Sequence, residues 1–189
     1  MRAAAAVLAL ALAGCHLPVE PRPPPDEGAW AALRASVTRA GKLYDGLATN
    51  AFAQAVYLRR DVREARALRV AAWKSLTAAE TDRLLAAERE DAAGHEEFLV
   101  SLFTPTPSDN DLDASSTGWR LAIVAAGAPD ELPTSVVQLR PDSMLRALYP
   151  EIGDFDVTYR VRFARKVPLE GRPFVLRLAG PRGRLDFVY

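Results

Sequence analysis

The chain has 189 residues, 49% hydrophobic and 25% charged, the balance of an ordinary globular domain, and this length allows one domain or one domain with a helical appendage. Lysine plus arginine equals aspartate plus glutamate at 24 each, so no overall field points to nucleic acid or to a strongly anionic surface. The single cysteine, Cys15, excludes an intramolecular disulfide, and stability must come from an apolar core.

The chain opens MRAAAAVLALALAGC. Arg2 is the positive end, and Ala3 to Ala13 is an apolar run too short for a bilayer core that needs ~20 apolar residues. It therefore reads as an export signal. Leu12-Ala13-Gly14-Cys15 resembles the lipobox of bacterial lipoproteins at all four positions. The resemblance implies a diacylglycerol on the Cys15 sulfur, cleavage before Cys15, and acylation of the new amino group. It also implies a place in the bacterial envelope, and His16, where an inner-membrane lipoprotein tends to carry aspartate, favours the outer membrane. The resemblance covers residues 1–15 and implies nothing about the fold of the rest.

His16 to Glu27, HLPVEPRPPPDE, is proline-rich and lacks an apolar period, which predicts an extended tether reaching roughly 40 Å at about 3.1 Å per residue. Trp30, Leu33, Val37, Ala40, Tyr44 and Leu47 recur at helical spacing, predicting one amphipathic helix from Gly28 to Leu47 that packs on the core, with a membrane-surface helix as the alternative. Ala48 to Leu58 is ambiguous between strand and helix; the alternation of Phe52, Gln54, Val56 and Leu58 favours a strand. Asp61 to Leu76 places Val62, Ala65, Leu68, Ala72, Trp73 and Leu76 on one helix face. Thr77 and Glu80 have capping-box spacing and start a second helix that stops at Gly94.

Beyond Gly94 the period becomes two. Phe98 to Phe103 is apolar on both faces, as in a central strand, and Trp119, Leu121 and Ile123 alternate with Arg120, Ala122 and Val124. Val136 to Leu139 is a shorter strand, and Pro141-Asp142-Ser143 caps a helical turn through Leu148. Val157, Tyr159, Val161 and Phe163 form the cleanest half-buried strand; Phe174 to Leu178, the turn Gly180 to Gly183, and Leu185 to Tyr189 read as a hairpin. The expected fold is α+β, with N-terminal amphipathic helices on a mainly antiparallel, sandwich-like C-terminal sheet. The divisions are 1–14 signal, 15–27 lipidated cysteine and tether, 28–94 helical and 95–189 β-rich, with 28–189 one folded unit.

Few residues carry a chemical signature. Asp109, Asp111 and Asp113 hold the first, third and fifth positions of a calcium loop, but Ala114 replaces its glycine and Arg120 its closing glutamate, so a plain loop is the better reading. Between Glu80 and Asp113 ten acids face two arginines. His95 has no second histidine one helical turn away, and no serine sits in a Gly-x-Ser-x-Gly elbow; a carboxylate hydrolase leaves no spacing rule to test. If the strands at 157–163 and 174–178 adjoin, the pleat puts Arg160, Arg162, Arg177 and Arg184 on one basic face; a solvated face balanced by Asp186 is the favoured reading, and a patch that docks an anionic envelope partner is the sharper alternative. The favoured role is a non-catalytic, lipid-anchored interaction or structural protein with no cofactor beyond the lipid and no nucleic-acid partner. A small-ligand or cation-binding lipoprotein and a cell-wall-active hydrolase are the alternatives.

Overall fold

A computed structural model describes residues 26–114, 117–166 and 169–189. Cys15, the export signal and the proline-rich run up to Pro25 lie outside the described residues. The elements are α1 (Glu27–Val37), β1 (Thr38–Asp45), β2 (Ala48–Tyr57), α2 (Arg60–Trp73), α3 (Ala78–Gly94), β3 (His95–Phe103), β4 (Arg120–Val124), β5 (Ser135–Leu139), α4 (Ser143–Leu148), β6 (Val157–Ala164), β7 (Val175–Gly180) and β8 (Gly183–Val188). The fold is α+β. A five-stranded antiparallel sheet runs β1-β2-β3-β6-β5, and a three-stranded antiparallel sheet runs β4-β7-β8. Among the described residues no helix is long and apolar enough to cross a membrane.

Capping chemistry fixes the helix starts. The Asp26 carboxylate accepts from the Ala29 amide, Thr77 and Glu80 form a reciprocal capping box, and Asp142 accepts from the Leu145 amide at 2.7 Å. The expected helix over 28–47 is corrected: α1 ends at Val37, the chain turns extended at Thr38, and β1 follows. Val37 and Thr38 are β-branched and suit the change of conformation. Tyr44 and Leu47, expected on a buried stripe, are exposed. With β1 and β2 both inside residues 28–94, that part is not purely helical, and the two halves of the chain share one sheet.

β3 is the centre of that sheet and is buried on both faces, as its mainly apolar stretch Phe98–Phe103 requires. On one face Phe98 and Val100 sit opposite Val161 and Tyr159 of β6, while β2 contributes the fully buried Ala51, Ala53 and Ala55. Leu176, Leu178, Leu185 and Phe187 of the three-stranded sheet belong to the same apolar cluster. The small β2 side chains leave room for a ring stack: Tyr57 lies 4.9 Å from Phe98, Phe174 lies 5.1 Å from Tyr189, and Tyr57 meets Phe174 edge-on at 5.4 Å. A Cβ at Gly41 would stand 2.8 Å from Leu185 Cδ2, so glycine permits the close approach of β1 to β8.

The opposite face meets the helices. The pair α2 and α3 is inserted between β2 and β3, which nevertheless pair directly with Tyr57 opposite Phe98. The expected apolar face of α2 is also corrected. Val62, Ala67 and Ala71 are buried together with Arg63 and Arg69, whereas Leu68 is half exposed and Trp73 lies at the surface. Two arginines therefore point inward. Arg69 lies over the rings of Trp30 and Trp73 and pairs with Glu27, and Trp30 donates its indole N–H to the Leu148 carbonyl at 3.2 Å.

Candidate functional site

Arg63, the inward arginine at the start of α2, lies only 2% exposed against the sheet. A buried guanidinium needs partners, because desolvation otherwise costs several kcal/mol, roughly, per ion. Its Nη1 lies 2.6 Å from Asp91 of α3, its Nη2 3.4 Å from Glu97 of β3, and its Nε donates to the Leu58 carbonyl at 2.9 Å. Arg162 of β6 joins the same acids, with Nε 2.7 Å from Glu97 and Nη2 2.9 Å from Asp91. One turn further along α2, Arg66 donates to both carboxylate oxygens of Glu88 at 2.9 Å. Helix, helix and sheet are thus joined through alternating charges.

Burial works to raise the Asp91 carboxyl, but the Arg63 hydrogen bond and the charges of Arg162 and Arg63 outweigh it and hold Asp91 below its ordinary value. Asp91 is kept as a fixed anion and not as a proton donor.

The network walls a chamber of about 320 Å³, roofed by Leu84 of α3 and Leu145 of α4 and floored by Leu99 and Leu139. Two polar groups in it remain unused. Arg160 of β6 has no ion pair or side-chain hydrogen bond among the described residues, although it lines the chamber beside three carboxylates. Tyr149, 1% exposed, has a buried hydroxyl whose proton has no acceptor among the described residues; the Arg66 guanidinium faces its oxygen, and the charges of Glu97 and Glu88 also act on it. Burial raises its pKa, so it is a neutral donor. A buried hydroxyl left unpaired costs about 1–3 kcal/mol, which a bound acceptor would recover.

A larger concavity of about 720 Å³ opens beside the ring stack, between α1, the start of α2 and residues 169–174. Its charges are largely spent on one another: Arg59 pairs with Asp61 at 2.7 Å, Arg60 with Glu64 at 2.9 Å, and the Arg39 Nε donates to the Val188 carbonyl at 2.6 Å. At its floor Tyr57 donates to Glu96 at 2.6 Å, and burial with that carboxylate raises the tyrosine. The smaller chamber is the better candidate because it combines an unpaired cation with a buried donor whose proton has no acceptor among the described residues.

The four arginines expected to form one basic face are divided. β6 and β7 lie in different sheets, so Arg160 and Arg162 line the chamber while Arg177 and Arg184 sit on β7 and β8, where Arg177 is 2.8 Å and Arg184 3.5 Å from Asp186. The single patch is corrected to a chamber pair and a solvated, acid-balanced pair. The three aspartates of the calcium pattern do not converge either. Asp109 pairs with Arg182 and its carbonyl accepts from the Trp119 indole at 2.7 Å; Asp111 accepts from the Thr117 hydroxyl at 2.9 Å and the Gly118 amide at 3.3 Å; Asp113 is exposed. Among the described residues no group of three or more His, Cys, Asp or Glu side chains could hold a metal ion.

Arg63, Arg66 and Tyr149 are site residues that sequence patterning misses. One signal was available: Arg63, Ala67 and Ala71 repeat every fourth residue, a stripe of small residues headed by an arginine, next in sequence to a segment rich in acids. Comparison with family models, with curated proteins and with solved structures returns no match.

Proposed function

We propose that this chain is a lipid-anchored lipoprotein of the bacterial envelope, held in the outer membrane through Cys15, whose domain has a non-catalytic binding role with an anionic envelope component. The lipobox resemblance at Leu12-Ala13-Gly14-Cys15 and the proline-rich run that follows support the anchor. The two sheets, sharing one apolar cluster, would serve as a sandwich-like scaffold behind the binding surface. The observation that carries the binding role is the presence, in one chamber, of the uncompensated Arg160 and of the Tyr149 hydroxyl, whose proton has no acceptor among the described residues.

Binding is favoured over hydrolysis because the chamber carboxylates are committed to arginines: Glu88 to Arg66, and Asp91 and Glu97 to Arg63 and Arg162. A general acid needs a raised carboxyl pKa, and Asp91 is lowered. The cation-binding alternative loses support with its aspartates turned to Arg182, Thr117 and Gly118.

Two measurements test the reading. Fatty-acid labelling should mark the wild type and not Cys15→Ser; equal labelling would reject the anchor. A photoreactive side chain at Ala87, exposed at the chamber mouth, should give an envelope adduct that Arg160→Gln removes. The same adduct in equal yield from the folded variant would reject the chamber as the binding site.

A further inference from the structure

We infer that the chamber takes a small monocarboxylate with a short apolar body, an inference that rests on the chamber being the binding site. Charge decides the head group. Arg63, Arg66, Arg160 and Arg162 face Glu88, Asp91 and Glu97, four cations against three anions, and the surplus positive charge belongs to Arg160, the one guanidinium of the four without a carboxylate. A single negative charge neutralises the chamber. A second, as on a phosphate dianion, would meet Glu88 and Glu97 in a half-buried space with no cation left to screen it.

Hydrogen bonding agrees with charge. A carboxylate accepts two donors in its plane, and the chamber offers the planar Arg160 fork and the neutral Tyr149 hydroxyl, buried and with no acceptor for its proton among the described residues. The buried Arg63 Nη2 also lacks a well-aligned acceptor and can share the second oxygen.

Shape sets the rest of the molecule. Leu84, Leu99, Leu139 and Leu145 supply the other wall, which a hydrated inorganic anion would leave unused. A volume of about 320 Å³ is at the small end of ligand pockets, which run ~300–1,000 Å³, so the occupant is a short acid and not a polymer segment.

The test is isothermal titration of the full chain, purified in detergent, with hexanoate, its neutral analogue hexanamide, and inorganic phosphate. Hexanoate is expected to bind at least about tenfold more tightly than either control, the scale of one charge-assisted hydrogen bond. Arg160→Gln should lower hexanoate affinity at least tenfold with no loss of melting temperature, because it strands no partner. Tyr149→Phe should weaken binding several-fold with little change in melting temperature, since it removes a buried donor proton that has no acceptor among the described residues. Phosphate binding more tightly than hexanoate, in an Arg160-dependent way, would overturn the monocarboxylate inference and leave the anion-binding reading standing. Hexanoate binding unchanged by Arg160→Gln, or heat from none of the three probes, would overturn the inference outright, and the adduct at Ala87 then decides the broader reading separately.

Discussion

Glu96 and Glu97 are neighbours in β3, yet the pleat sends them to opposite faces of the five-stranded sheet, and each ends on a different guanidinium: Arg165 at 3.2 Å from Glu96 and Arg162 at 2.7 Å from Glu97. Both carboxylates are buried. Glu96 also accepts from Tyr57, while Glu97 binds Arg162 and Arg63 together. One strand therefore insulates two charge centres from each other.

Removing one partner of a buried pair leaves the other charge stranded. Glu97→Ala leaves Arg63 and Arg162 to share Asp91 and should cost up to about 3–5 kcal/mol, and Glu97→Gln, which keeps one acceptor, should cost less. Urea titration of both variants measures the difference. A loss below about 1 kcal/mol for the alanine variant would show that the network is solvated and contributes little.

Stability should fall at both ends of the pH scale. Hydrogen bonds from Arg89 and Arg60 hold Glu64 down at about 2, and Asp91 is also lowered, so their contribution is complete above the unfolded values of 4.5 and 3.8 and is lost as pH falls through the folded ones. Tyrosines shift the other way: burial pushes Tyr159 up to about 12 and raises Tyr57, Tyr149 and Tyr189. Their contribution is complete below the unfolded value of 10.0 and drains as pH rises towards the folded values. Urea midpoints should be flat from about pH 5 to about pH 9 and fall on either side. A midpoint still undiminished well above pH 10 would contradict the tyrosine burial.

Two glycines give opposite expectations. A Cβ at Gly180 would lie 2.8 Å from the Gly118 carbonyl oxygen and 2.9 Å from the Trp119 ring, and a backbone oxygen cannot swing aside. Gly180→Ala should destabilise by about 1–3 kcal/mol. At Gly94, the last residue of α3, nothing lies within 4 Å, and Gly94→Ala should be neutral or gain about 0.4–1 kcal/mol through the unfolded chain. Thermal melts of the pair check the sign of each change.

β8 separates core from surface within three residues. Phe187 is 2% exposed, and Phe187→Ala should cost about 3–5 kcal/mol. The outward Arg177 pairs with Asp186 at a partly exposed site, so Arg177→Gln should leave the stability almost unchanged. Similar losses for the two variants in chemical denaturation would mean that the inward and outward faces of the hairpin are assigned wrongly.

Sequence patterning reads those elements whose signal is local. Thr77 and Glu80 announce α3, and Val157 to Phe163 announces β6, because cap and pleat depend only on near neighbours. β1 is hidden for a physical reason: its inward positions are Arg39, Gly41 and Leu43, and Gly41 is the residue that yields its place to Leu185, so the period of two has a gap where a large apolar residue would stand. The chamber is illegible because it is assembled from α2, α3, α4 and β6. Arg160 and Arg162 are recognisable as a pair facing away from the apolar strand face, but their separation from Arg177 and Arg184 depends on which sheet each strand enters. Tyr149 has the pattern of any core aromatic until its hydroxyl proton is seen to lack an acceptor among the described residues.

The insertion of α2 and α3 between β2 and β3 has a kinetic consequence. The central ladder cannot zip until the long segment between its strands is closed, and the entropy of that closure falls on the folding rate. Two helices that form locally and pack antiparallel shorten the distance the chain must search. Thr77, at their junction, thus bears on more than the start of one helix: if α3 forms before the ladder closes, loosening its cap should slow the meeting of Tyr57 with Phe98, two residues on strands it never touches.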